Sequence, residues 1–501
     1  MNRYLRYFLF ILLGAGLAHF IAYKLVHIPR QLELVVILSA LIFYPILKRP
    51  VIGLYLVIAV APFIPYIRRL YYLVYTRPAI DPLIMVEDIL LIFTLAGLYF
   101  VFKERRGSNQ GVSFYSNLVL FYFGYMVART FVFNYLPLED AVTKFKYYGP
   151  PVLFFFVGAV LADTGAAHIK RLWSITVAVG IIAALYAVHQ LYNGYSEAEM
   201  RWFSSIEFST LFIKGIARPF SVFQAPVALA DYMQLAVIGI FITMSWMQKK
   251  YHILLLAALP LLLYAALITS VRSSWVGIIA TFVLWLLFFR LKKNSQRITV
   301  FTVLVLSYLV YQYMTDVPAA IAAAGAPKAA LSNPTQTQQY FELLVSNRAS
   351  ALYDPLGEHS FLSRLKLWKD LIAYANDPIL ILLGRGLGCL NADSLYFTYL
   401  AEFGYPGMAY IIFLFIVFII QGFYIIDNSK SRDIVAIAKG VVVINLVFGI
   451  ISITGTHIHS FPGTIYFWFF NGVLIQLSAA TRQEAAAAEE MHHAEQGIAA
   501  P

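Results

Sequence analysis

The chain has 501 residues, of which 60% are apolar, 16% aromatic and only 13% charged, where a soluble domain carries about 25% charge. Its mean hydropathy is +0.73, and nearly charge-free apolar runs recur along the whole length, which excludes a string of soluble domains and marks a polytopic membrane protein. The 37 Lys and Arg outnumber the 26 Asp and Glu, for a net charge of +11, but they fall in pairs between apolar runs, a pattern that orients spans and needs no nucleic-acid partner.

MNRYLR and the apolar run after it have the charged head and apolar body of a signal peptide. Further spans follow at once, so an uncleaved first span is expected. Apolar runs then lie near 32–47, 51–67, 84–102, 115–134, 149–163, 172–192, 227–247, 253–270, 274–290, 299–315, 396–421, 434–454 and 464–480. Each is long enough to cross, or nearly cross, a hydrocarbon core about 30 Å thick. The fold class is therefore all-α, a helical membrane bundle of about 12–14 transmembrane helices with a large extracytoplasmic loop.

With a cytoplasmic N-terminus, every even connection carries a basic cluster: Lys48-Arg49, Lys103 with Arg105-Arg106, Lys170-Arg171, Lys249-Lys250, Arg290 through Arg297, and Lys430 with Arg432. Fourteen spans with both ends inside satisfy the positive-inside rule throughout. The expected organisation is helices 1–11 with short loops over 1–315, a large outer loop over 316–395, helices 12–14 over 396–480 and a polar cytoplasmic tail over 481–501. The two longest connections, about 193–226 and 316–395, both face outward, and long loops on a rigid scaffold carry binding chemistry. The longer one opens Ala-rich and Pro-punctuated, then reads as an amphipathic helix near 364–376 behind a Ser363 cap, with Leu365, Trp368 and Ile372 facing lipid or protein, ending at Asp377-Pro378. The tail reads as frayed, and its adjacent His492 and His493 point to different faces of a helix, so they make a solvated face rather than a metal site. A single cysteine, Cys389, excludes an intramolecular disulfide and thiolate metal sites.

An ionisable group inside or at the rim of a span costs roughly 2.5–3.5 kcal/mol on insertion scales, so it marks function more often than an exposed charge. On the outer half these are Arg129, Lys144, Lys146, Arg218, Arg272, Arg364 and Asp393. Arg272 lies in a connection too short to leave the membrane rim, and Arg218 precedes a span behind Pro219 and Pro226. Arginines without acidic partners suit a phosphate or pyrophosphate brought from outside, because the guanidinium fork binds two oxygens and stays ionised; the alternative is snorkelling at the head groups. Lys144 and Lys146, with Tyr147 and Tyr148, suit an acidic sugar or phosphate, or form an interfacial belt. Asp393 suits general-base work or caps a helix. Glu402 is a second carboxylate with a catalytic or a hydrogen-bonded role, and His359 is a further candidate base or a solvated loop residue. Gly384-Arg-Gly386-Leu-Gly388 lacks a preceding strand and the dinucleotide spacing, so it reads as a tight turn returning the loop to the next span.

Downstream of that turn, Asp393-Ser394 is followed by nine residues, Gly404, two residues and Gly407. This resembles the O-antigen ligase and Wzy-type polysaccharide polymerase superfamily, whose ligases carry His-[Asn/Ser/Gln]-x9-Gly-x-x-[Gly/Thr/Tyr] at the end of a large periplasmic loop. Arg218-Pro-Phe-Ser-Val-Phe223, Ser270-Val-Arg-Ser-Ser-Trp275, and Ser363-Arg364 with Trp368 match in order and placement, so the resemblance covers about 190–410. Asp393 stands where the ligases have histidine, which looks more like a polymerase. The resemblance implies a glycosyltransferase of the bacterial inner membrane with its site facing the periplasm, working without cofactor or metal. Its donor would be a glycan on undecaprenyl pyrophosphate and its acceptor the hydroxyl of another lipid-linked repeat, with a chain-length regulator and a flippase as protein partners. Arg218, Arg272 and Asp393 would be catalytic, the arginines on the pyrophosphate and the carboxylate on the acceptor proton. Arg364, Lys144, Lys146, Ser394, Tyr396, Glu402 and His359 would contact substrate. The rivals are a ligase using lipid A core or another acceptor, a lipid-linked oligosaccharide flippase, and a scaffold for a synthesis complex.

Overall fold

The computed structural model describes residues 50–71, 73, 114–132, 137–163, 165–205, 211–213, 216–289, 359–374, 378–390 and 392–495. The first two expected spans, the runs at 84–102 and 299–315, and the loop stretch 316–358 lie outside them. In chain order the helices are α1 (Pro50–Val60), α2 (Ile64–Tyr71), α3 (Phe114–Phe131), α4 (Leu138–Val152), α5 (Phe154–Asp163), α6 (Ala166–Asn193), α7 (Glu197–Ser205), α8 (Pro226–Met244), α9 (His252–Ile268), α10 (Arg272–Phe289), α11 (His359–Tyr374), α12 (Pro378–Leu383), α13 (Leu395–Asn428), α14 (Arg432–Ile451) and α15 (Gly463–Glu495). Among the described residues, seven helical stretches are long and apolar enough to cross a membrane: Gly53–Leu70, Asp140–Asp163, Ala166–Asn193, Pro226–Met244, Lys249–Ile268, Leu395–Asn428 and Arg432–Thr454. Against the all-α expectation stands one antiparallel pair, β1 (Phe212–Ile213) with β2 (Ile216–Ala217), in register Phe212 with Ala217.

The chain divides into two units. The smaller holds α1, α2 and α7. Its α7 begins with a reciprocal cap written in the sequence as Ser196-x-x-Glu199: the Glu199 carboxylate accepts from the Ser196 backbone N–H at 2.8 Å, and the Ser196 hydroxyl accepts from Glu199 N–H at 3.4 Å. Glu199 also lies 4.0 Å from the buried Arg69 guanidinium, which sits over the Trp202 ring.

The larger unit is built around α8, a largely apolar helix buried on nearly every side, with α6, α9, α10, α14 and α15 against it. Helices α5 and α15 pack so closely that a Cβ on Gly158 would stand 2.0 Å from the Phe469 carbonyl oxygen and one on Gly472 1.8 Å from that of Phe155. Glycine at both positions lets two backbones meet where apolar burial alone gives no drive to associate. Trp173 stacks on Phe470 at 3.9 Å, and Asn445 donates to Asn471 at 2.7 Å across α14 and α15. Outward, α10 presents Val276, Ile279, Val283 and Leu287 as one exposed stripe at helical spacing, the kind of surface a bilayer covers.

Three elements depart from expectation. The loop helix begins at His359, ahead of the expected Ser363 cap, with Trp368 buried and Leu365 and Ile372 exposed. A short α12 follows Pro378. The tail is helical to Glu495, because its Ala-rich, Glu-rich composition simply extends α15.

Candidate functional site

The connections of the larger unit gather at two ends. At one stand Lys170, paired with Asp433 and close over Trp246, then Lys249-Lys250, Lys430-Arg432, and Arg482 on Tyr115 and Gln421. At the other stand the candidate residues, tied together by bonds between elements. Gln190, at the end of α6, accepts from the N–H groups of Phe220 and Ser221. The Arg218 guanidinium donates to the Thr269 carbonyl at 3.4 Å, three residues before Arg272 opens α10. Arg218 is mostly buried; Arg272 is partly exposed.

Asp393 precedes α13 in a left-handed conformation, φ 49°, which aspartate tolerates better than most residues. Its exposed carboxylate accepts from Arg364 Nε at 3.3 Å. The alternative that Asp393 caps α13 is not realised: the N-cap is Ser394, without a side-chain cap bond. Trp368 holds α11 to this corner, donating to the Ala392 carbonyl at 2.8 Å and stacking on Phe397. The Ser394 hydroxyl faces the Ser452 carbonyl at 3.5 Å, and Tyr396 donates to the Gly449 carbonyl at 2.7 Å, so both substrate candidates on this segment also fasten α13 to α14.

Behind this corner α13 breaks. Gly404 has φ 72°, and Pro406 lacks the N–H that would bond the Glu402 carbonyl one turn back. The freed carbonyls are all taken up: Ala401 accepts from Arg385 N–H at 2.7 Å, Glu402 from Gly386 N–H at 3.1 Å and from the buried Arg129 guanidinium at 3.2 Å, and Phe403 from the Tyr125 hydroxyl at 3.1 Å. Arg129 thus serves the backbone rather than a substrate or the head groups. The Gly384–Gly388 turn sits directly on the break, with room for no Cβ at Gly384, so the expected tight turn is also the clamp of the kink. The Glu402 side chain is fully buried; one oxygen accepts from Gly388 N–H at 2.9 Å and the other has no partner.

Tyr399, one turn before the break, bonds the Tyr122 hydroxyl and, at 2.9 Å, Nε2 of His459, whose ring stacks on Tyr148 at 3.7 Å. Lys144 stands over Tyr148 at 5.3 Å. Burial, and then the Lys144 charge, hold His459 well below the ordinary histidine range, so it is neutral. Burial, with the Glu402 carboxylate adding to it, pushes the Cys389 thiol up to about 12, so it is neutral as well. Lys146 lies on the same helix, partly exposed. His359 opens α11, and its side chain lies outside the described residues.

Sequence reasoning missed the connection 455–462. It carries His457 as well as His459, and His457 Nδ1 lies 2.8 Å from Oδ1 of Asp231 on α8, both side chains buried. A lone carboxylate in the run ALADYM and two histidines in an outer connection were the available signals. Among the described residues, no three His, Cys, Asp or Glu side chains are grouped as a metal site. No protein family matches the chain, and no curated protein matches it.

Proposed function

We propose that this protein is a Wzy-like glycosyltransferase of the bacterial inner membrane, which transfers a glycan from undecaprenyl pyrophosphate to a sugar hydroxyl of another lipid-linked repeat. The observation that carries this reading is the gathering of Arg218, Arg272 and the Arg364–Asp393 pair at one end of an apolar bundle, opposite the end that holds Lys170, Lys249, Lys250 and Lys430. By the positive-inside rule the lysine-rich end is cytoplasmic and the arginine end periplasmic, where a lipid-linked donor is presented. Arg218 and Arg272 would hold the diphosphate and stabilise the charge that develops on it as the anomeric bond breaks. Arg364 and Asp393 stand where an acceptor would arrive from the loop side. Lys144, beside Glu402, supplies a charge for an acidic sugar or phosphate. The donor's prenyl tail makes an embedded enzyme necessary, since that substrate does not leave the bilayer cheaply. A ligase would share this arrangement and differ in its acceptor.

The break in α13 favours a second reading, a lipid-linked oligosaccharide transporter, because transporters use discontinuous helices at their binding sites. Here, however, the freed carbonyls are already taken by protein donors. One assay separates the two. Purified protein incubated in vesicles with lipid-linked repeat units should produce longer glycans on a gel; unextended units that change leaflet would mean transport.

A further inference from the structure

We infer that His457, oriented by Asp231, is the general base that takes the proton from the acceptor hydroxyl; this rests on the glycosyl-transfer reading above. The connection 455–462 is fixed at the candidate end of the bundle, since the Leu395 N–H donates to the Gly455 carbonyl at 3.0 Å, two residues after Asp393. His457 Nδ1 meets Asp231 Oδ1 at 2.8 Å, so Nδ1 is the ring nitrogen turned to the carboxylate and Nε2 the one left to meet a substrate. Nε2 is buried and has no hydrogen-bond partner, and Oδ2 of Asp231 is equally without one. Buried polar atoms in native folds are almost always partnered, so an unpartnered acceptor beside a reaction centre points to a donor that comes with the substrate.

Gly455 keeps the space beside this ring open. A Cβ at residue 455 would lie 2.6 Å from His457 Nε2, and its three nearest atoms all belong to the His457 ring. Glycine at this position leaves the His457 ring uncrowded, where any side chain would press on it. Asp393, by contrast, has its carboxylate engaged by Arg364.

In the step itself the acceptor O–H bond breaks and its proton goes to Nε2. The oxygen's electron pair forms the new bond to the anomeric carbon, and the bond from that carbon to the pyrophosphate oxygen breaks with its pair left on the diphosphate. Asp231, a positioning residue, balances the imidazolium until it loses the proton to water.

The test uses the full-length protein in vesicles with lipid-linked repeat units, measuring kcat and KM for donor and acceptor. If the wild type makes no longer product, the transferase reading fails before this inference is reached. If it does, His457→Gln should lower kcat about 100-fold or more with KM for the donor within about threefold, and Asp231→Asn should lower kcat at least about tenfold. The double variant should be no slower than His457→Gln alone, as expected of two groups acting as a unit. If His457→Gln does not accumulate, Asp231→Asn alone decides the matter by the same split of kcat against KM. Retention of kcat within threefold by His457→Gln or by Asp231→Asn, or multiplicative losses in the double variant, would overturn the assignment.

Discussion

Arg129 and Arg272 are both arginines near the ends of apolar helices, yet they do different work. Arg129 is fully buried and donates to the Gly384 and Glu402 carbonyls, whereas Arg272 opens α10 and stays partly exposed beside the Arg218 guanidinium's anchor at Thr269. Arg272→Ala should therefore abolish polymer in cells while leaving protein level unchanged, as read by glycan gels and immunoblots of the membrane fraction; normal chain length would remove Arg272 from the mechanism. His459 predicts a pH effect. Its imidazole is held neutral in the fold, first by burial and then by Lys144, while the unfolded chain protonates near the ordinary value of about 6.5. A lowered folded pKa means that the unfolded state binds more protons in the window just below about 6.5, so the stabilisation is complete above that pH and is lost as pH falls through the window. Thermal unfolding in detergent should show Tm dropping below pH 6.5, and His459→Gln should flatten that slope. Arginines were legible in the sequence because an ionised residue in an apolar run stands out. What that scan could not give was the partner, and only the partner separates a backbone ligand from a candidate diphosphate ligand.

Among the elements, α13 shows how a sequence motif acquires meaning from its neighbours. The Gly404-x-x-Gly407 spacing is part of what resembles the ligases and polymerases, and in the fold it is the site of a helix break whose carbonyls are capped by the 384–388 turn. Gly404 has positive φ, and a Cβ there would stand 2.5 Å from the Ile381 carbonyl oxygen. Gly404→Ala should cost about 2 kcal/mol or more in unfolding free energy through strain and the displaced turn. Pro406→Ala should cost less than about 1 kcal/mol, because the Glu402 carbonyl it would serve already has two donors. Similar losses in both variants, measured by denaturant titration, would mean that the kink does not depend on the turn. The turn's existence could be read from three glycines; that it lands on α13 could not, because the contact spans chain segments linked only by tertiary packing. The helical tail was misjudged for a plainer reason: its polarity suggested fraying, while Ala and Glu are strong helix formers continuing an established helix.

At the scale of the whole molecule, alternation along the chain led us to expect the basic connections on one side of the membrane, and the fold ties Lys170 to Asp433, next to Lys430-Arg432, and to Trp246, just before Lys249-Lys250. The proposed orientation makes a direct prediction. In a Cys389→Ser background, a cysteine introduced at Asp393 should react with a membrane-impermeant maleimide in intact spheroplasts, and one at Lys430 only after lysis. Labelling of both from the same side would reverse the topology and the function built on it. The seam between α5 and α15 has a further consequence. Where main chains touch at Gly158 and Gly472, even a methyl would act as a wedge. Any rearrangement of the larger unit must then hinge elsewhere, with this glycine-lined spine as its fixed axle.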